Sequence, residues 1–251
     1  RTETSMGGRL LRQWLEQPLI DVEAIKERHG AVAELKEKFM LRSELRELLS
    51  GVYDIERLTA KAVLGSMNAR DMVSLRQSLS QIPYIKSLLA GCESSLSGKI
   101  YEGLDELTEI CQLITDAVTE DPPLVITGGG IIKAGFNEEI DKCRYVAQNG
   151  KDWLAELEQK ERELTGIKNL KIKYNKVFGY YLEVTNSYKE LVPDYYTRKQ
   201  TLANAERYIT PELKEMEDMI LGAEDKLVQL EYELFRELRE QIAKNVVRIQ
   251  K

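Results

Sequence analysis

The sequence carries a single histidine, His29, in 251 residues, and its three cysteines, Cys92, Cys111 and Cys143, lie far apart. Neither type supplies a metal-ligand spacing, and an odd, scattered set of thiols points to reduced cysteines in a cytoplasmic chain. No apolar run approaches the ~18–20 residues of a membrane span, and no signal peptide is recognisable. A catalytic constellation is missing as well: His29 has no cysteine or carboxylate at motif spacing, and no nucleophile stands beside a base. Nor is there an excess of positive charge, because 42 acidic residues against 36 basic ones give a formal net charge of −6. Any nucleic-acid or membrane partner must therefore be argued locally. The first residue is Arg1 rather than methionine, which reads as a piece cut from a longer protein.

What is present is helix. With 43% hydrophobic residues the chain can bury one or two cores. From Met6 to about Asp121, apolar residues recur at three- and four-residue steps. MGGRLLRQWLEQPLID ends a first helix at Pro18. DVEAIKERHGAVAELKEK, SELRELLSGVYDIERLTAKAVLG, NARDMVSLRQSLSQIP and LDELTEICQLITDAV each read as one further helix. DPPLVITGGGIIKAGF, Asp121 to Phe136, breaks the pattern with three consecutive glycines. A long helix follows over about Asn137 to Leu164, with a heptad seam at Ile140, Cys143, Ala147, Gly150, Leu154, Leu157, Glu161 and Leu164. A second long helix opens at Thr210-Pro211, a capping residue followed by proline in the first turn. Its seam runs Leu213, Met216, Ile220, Ala223, Leu227, Leu230, Leu234. Two heptad helices flanking a β insert predict a mainly α chain: a helical bundle, a long antiparallel coiled-coil stalk and a small β-rich tip.

The insert, about Gly166 to Ile209, switches to a period of two. In KIKYNKVFGYYLEV, Ile172 and Tyr174 alternate with Lys171 and Lys173, and Tyr180, Leu182 and Val184 alternate again after Gly179, which predicts a hairpin. Further strands are expected near Tyr196–Leu202 and Glu206–Ile209. Between Gly166 and Thr210 there are eight basic residues and four acidic ones, against the acidic balance of the whole. A basic tip on an acidic chain is what sequence-independent phosphate contact requires. Lysines that protect a solvated strand edge would give the same composition, so charge alone leaves the two readings open.

Other motifs carry no chemistry. TGGGIIKAG lacks the GK[ST] ending of a phosphate loop and reads as a structural turn. Glu156, Glu158, Glu161 and Glu163 read as solvated helix faces.

Three blocks are more specific: TSMGGRLLRQWLEQPLID, VYDIERL at Val52 to Leu58, and IKYNKVFGYYLEV followed by YTRKQTLANAERYITPELKEMED. In that order they resemble the MutS family of bacterial DNA mismatch-repair proteins over about Thr2 to Phe235. The resemblance implies a helical core or lever domain over residues 1–136. It implies a clamp domain over 137–220, with a stalk helix at 137–165 and a β-rich tip at 166–210, and a return helix over 221–251. It implies that paired clamps close on the backbone of double-stranded DNA without reading sequence, and that the lever couples this grip to a distant ATPase domain. No Walker A sequence occurs in these 251 residues. ATP and Mg are therefore expected in a domain of the parent family outside this chain, which needs no cofactor and is not itself an enzyme. The Phe-X-Glu tripeptides at Phe136 and Phe235 are not carried over as a mismatch-reading wedge.

Expected backbone contacts are Asn175, Lys176, Val177 and Phe178 in the hairpin loop, with Arg198, Lys199, Asn204 and Arg207, and a secondary basic face of Lys171 and Lys173. Arg207 has an alternative in pairing with Glu206 or a stalk carboxylate. The implied partners are duplex DNA, the other MutS domains, a second MutS subunit and a MutL-type protein. The rival reading is a structural coiled-coil module whose basic tip docks on an acidic protein.

Overall fold

The computed structural model describes residues 2–125 and 128–250 and divides into two units, 1–136 with 231–251, and 137–230. It is mainly helical with one small antiparallel sheet of four strands.

The first unit contains α1 (Ser5–Glu16), α2 (Val22–Glu37), α3 (Phe39–Ser50), α4 (Ile55–Val63), α5 (Ala69–Leu79), α6 (Ile82–Leu89), α7 (Ser95–Gly103) and α8 (Thr108–Ala117). Side-chain caps set several starts: Thr4, Asp21, Asp54 and Asn68 each accept a backbone N–H of the first turn, and Asn68 with Asp71 forms a full capping box. The stretch SELRELLSGVYDIERLTAKAVLG is two helices rather than the single one expected. Gly51 ends α3 and Asp54 caps α4. Both signals lie inside an unbroken apolar pattern, so periodicity alone joined them. The apolar interior is formed by Met67, Met72, Leu75, Leu79, Ile114, Ile131 and Ile132, each at most 1% exposed. The glycine-rich connection, whose Ile126 and Thr127 lie outside the described residues, delivers Ile131 and Ile132 to this core. A single bridge links Val118 to Ile132. His29 is exposed on α2.

The second unit opens with α9 (Glu138–Thr165), capped by Asn137 and ended by Gly166 in the left-handed conformation. Then come β1 (Lys171–Asn175), β2 (Gly179–Thr185), a 3-10 turn (Asn186–Leu191), β3 (Thr197–Thr201) and β4 (Ala205–Ile209). Thr210 caps α10 (Pro211–Lys244), which runs on into the first unit, where α11 (Val246–Ile249) follows. Within the second unit, α9 and α10 touch in opposite chain order: Glu139 pairs with Lys226, Gly150 faces Ile220, and Lys160 pairs with Glu212. A β-carbon at Gly150 would come within 2.5 Å of Ile220, so this glycine permits close approach.

The expected seams need revision at their ends. Leu164 is 67% exposed, and Leu234 is only half-buried while its neighbour Phe235 is fully buried. A straight α-helix at 3.6 residues per turn drifts off a 3.5-residue repeat, which moves the buried stripe by one position over several turns.

The sheet order is β1-β2-β4-β3, all antiparallel. One face, with Leu182, Val184 and Tyr208, packs on Leu154, Leu157, Leu213 and Ile220 of the two helices. The glutamates of α9 expected to be solvated are partly turned inward: Glu161 is buried, and Glu158 accepts the Ile172 N–H at 2.7 Å.

Candidate nucleic-acid interface

The strand register assigns every charged residue of the sheet to a face. Lys171 lies opposite Glu183, Lys173 opposite Tyr181, and Glu183 opposite Arg207, so these five residues share the outer face, away from the helices. Lys173 Nζ donates to Glu183 at 2.7 Å, and this bond raises the lysine's pKa. Arg207 does not pair with Glu206, which lies on the other face. Its guanidinium sits 4.4 Å over the Tyr181 ring, donates from Nη1 to Gln200 at 2.8 Å, and faces Glu183 at 3.9 Å through Nε. Tyr181 is consequently 4% exposed although its side chain is on the outward face. On the inner face, the edge residue Arg198 reaches Glu206 at 3.5 Å, and Lys189 of the 3-10 turn reaches it at 3.0 Å. The Tyr208 hydroxyl, followed by Lys189, holds the Glu206 carboxyl below its usual range against the opposing effect of burial.

The hairpin loop is built by local chemistry. Asn175 Oδ1 accepts the Val177 N–H at 2.8 Å, a side-chain mimic of a turn, and Gly179 takes φ +74° to start the return strand. Lys176 is exposed, with Val177 82% and Phe178 41% exposed beside it. The Tyr180 N–H and Lys214 both donate to Glu217 of α10, fixing the base of this loop. Tyr174, on the face opposite the strand lysines, is 50% exposed and leans on Tyr180 with ring centroids 5.0 Å apart.

The expected contact residues do not form one cluster. The register puts the Asn175–Phe178 loop at one end of the sheet, while Arg198, level with Tyr208, Leu182 and Ile172, lies mid-sheet one rung from Lys171. Asn204 lies at the opposite end, where its carbonyl accepts the Asn186 N–H at 3.1 Å. Lys199 is exposed at the bulge between Arg198 and Gln200 on the edge strand. The cations fall into two classes. Lys173, Lys189, Arg198 and Arg207 are engaged by Glu183 or Glu206. Lys168, Lys171, Lys176 and Lys199 have no ion pair among the described residues. Sequence reasoning overlooked Glu183, the acidic centre of the outer face. Pairing the two strands about the Lys176–Phe178 turn places it opposite Lys171, and that pairing was available from the hairpin pattern.

Among the described residues no group of histidines, cysteines and carboxylates could hold a metal ion, and no helix is long and apolar enough to cross a membrane.

A family model described as MutS domain III matches residues 1–251. Proteins named DNA mismatch repair protein MutS are similar over nearly all of this chain. That of Acetivibrio thermocellus is 58% identical over 249 residues, 99% of this chain and 29% of the relative. That of Ruminiclostridium cellulolyticum is 59% identical over 249 residues, 99% of this chain and 28% of the relative. That of Lachnoclostridium phytofermentans is 55% identical over 251 residues, 100% of this chain and 27% of the relative. The chain thus spans less than a third of the length of these relatives, and it belongs to the MutS domain III family.

Proposed function

We propose that this chain is the lever and clamp portion of a MutS-type mismatch-repair protein, and that the sheet of its second unit grips the backbone of duplex DNA without reading sequence. The observation that carries this reading is the set of lysines at 168, 171, 176 and 199 on the sheet and its flanks, which have no ion pair among the described residues in a chain of net charge −6. A cation already paired with a buried carboxylate gains little from a phosphate, whereas an unpaired one releases a counterion when it binds. In this reading α9 and α10 form the coiled-coil stalk, and the helical unit relays the grip to an ATPase domain outside these residues. ATP and Mg belong to that domain, and this chain performs no hydrolysis. A second MutS subunit, whose clamp adds avidity, and a MutL-type protein are the further partners.

Titration with homoduplex DNA at two salt concentrations tests the grip. Affinity should fall as salt rises, and absence of salt-sensitive binding even near ~20 mM salt at high protein concentration overturns the reading. In the full-length protein, Lys176→Glu combined with Arg198→Glu should weaken homoduplex and mismatch binding about equally; a selective loss of mismatch discrimination would refute the assignment.

A further inference from the structure

Glu183 occupies the centre of the outer face with cations on three sides. Lys173 donates to its Oε1 at 2.7 Å, Arg207 Nε stands 3.9 Å from its Oε2, and Lys171 lies directly across the strand pair. Arg207 Nε is buried without a hydrogen-bond partner, so that cation is held near the carboxylate without being fully satisfied by it. Neither the core of the sheet nor its register requires a carboxylate here. The inner-face residues beside it, Leu182 and Val184, supply the packing, and the backbone pairs on both sides. A carboxylate only 23% exposed amid three cations costs positive potential where a polyanion would be held. We infer that Glu183 is an electrostatic brake on the DNA grip: it holds Lys173 and Arg207 in internal pairs, and a phosphate must compete with it to recruit them. The brake keeps the outer face binding weakly enough to let go, leaving the unpaired lysines as first contacts.

This inference rests on the duplex-gripping reading, and its test separates the two. Glu183→Gln keeps the shape and the hydrogen-bond acceptor toward Lys173 but removes the charge; Glu183→Thr, a good strand former, provides a second neutral variant should the first fold poorly. Both are introduced into the full-length protein, with Glu190→Gln in the exposed 3-10 turn as the matched control that removes one negative charge elsewhere. Homoduplex affinity is measured over a salt series. The brake predicts about three- to tenfold tighter binding for the Glu183 variants at low salt and a log–log salt slope steeper by roughly 0.9 for each cation released. Glu190→Gln should change affinity less and leave the slope alone. If the native protein binds with salt sensitivity but neither Glu183 variant tightens it, or if Glu190→Gln gives the same gain, the brake is overturned while the grip stands. If the native protein shows no salt-sensitive binding, both fall.

Discussion

The helical unit closes around Met67, Met72, Leu75, Leu79, Ile114 and Phe235, all at most 1% exposed, and its buried hydroxyls satisfy themselves locally, as when Thr59 and Ser78 donate to carbonyls one turn back. It buries one glutamate, Glu231, which accepts the Ile131 N–H at 2.8 Å, whereas the smaller strand-bearing unit buries three, Glu161, Glu206 and Glu217. Each ties a loop or strand to its support. Glu161 of α9 accepts the Tyr195 and Tyr196 hydroxyls at 2.9 and 2.8 Å, anchoring the segment that enters β3. Glu206 gathers Tyr208, Lys189 and Arg198. Glu217 holds the base of the hairpin loop. The difference is one of size. A four-stranded sheet on two helices has too little apolar surface to fix every loop by packing, and buried carboxylates specify position where packing does not.

The comparison is broken most directly by truncating one anchor of each kind. Phe235→Ala should cost about 3–5 kcal/mol, because a large cavity opens in the helical core. Glu161→Ala should cost about 1–3 kcal/mol, chiefly because the buried Tyr196 hydroxyl loses its acceptor, the half-exposed Tyr195 hydroxyl being able to turn to water. Urea unfolding of both variants measures this. A cost below about 1 kcal/mol for Glu161→Ala would mean that the carboxylate anchors nothing and that the strand unit is held by its apolar cluster alone.

A comparable effect is expected at Gly179. Its φ of +74° is strained for any other residue, and a β-carbon there would fall on the Glu217 carboxylate. Gly179→Ala should cost about 1–3 kcal/mol and free the hairpin loop, visible as faster hydrogen exchange at the Tyr180 amide. Unchanged exchange there would show that the loop keeps its seat without Glu217.

How much of this was legible beforehand divides along the same line. The mainly helical character, the hairpin about Gly179 and the two later strands follow from periodicity, which reports burial of apolar faces. The helices α6 and α7 escaped notice because IPYIKSLL and SLSGKIYEG are too short to display a repeat, and their starts depend on Pro83 and the Ser94 cap. Glu161 was read as solvated and Glu217 passed over because the signal that turns each inward is a partner distant in sequence: Tyr196 is 35 positions from Glu161, and Tyr180 is 37 from Glu217. Among the expected contact residues, exposure of the loop could be read from its turn chemistry. The internal engagement of Arg198 and Arg207 could not, because it depends on which face of the sheet each strand presents.

The two units also differ in how pH acts on them, with the smallest accessible effect. In the helical unit, burial alone would push the Glu34 carboxyl up, but Lys38 and the Glu93 and Ser94 N–H groups outweigh it and bring it to about 2. A carboxyl with a lowered folded pKa stabilises above its ordinary range and loses that stability as pH falls toward 2, so Glu34 shares the acid limb with the more exposed Glu120, brought to about 2 by Arg76 and Lys133, and with Glu206 of the strand unit. In the strand unit, burial followed by the hydrogen bond to Glu161 pushes Tyr195 up to about 12 and Tyr196 further still, and burial with the Glu206 bond pushes Tyr208 up to about 12. Above pH 10 the unfolded chain sheds these phenolic protons while the folded chain keeps them. The folded state then binds more protons, and stability falls as pH rises. The Cys92 and Cys111 thiols of the helical unit are raised by burial and act in the same direction, so the alkaline limb alone does not discriminate. Tyr196→Phe does: it removes the phenol pushed up furthest, and the denaturation midpoint of the variant should decline less between pH 10 and 11 than that of the native chain. Tyrosinate absorbance should lose a late-titrating step at the same time. An identical decline with and without Tyr196 would show that its phenol has no part in the alkaline limb, leaving that limb to the thiols and to Tyr195 and Tyr208.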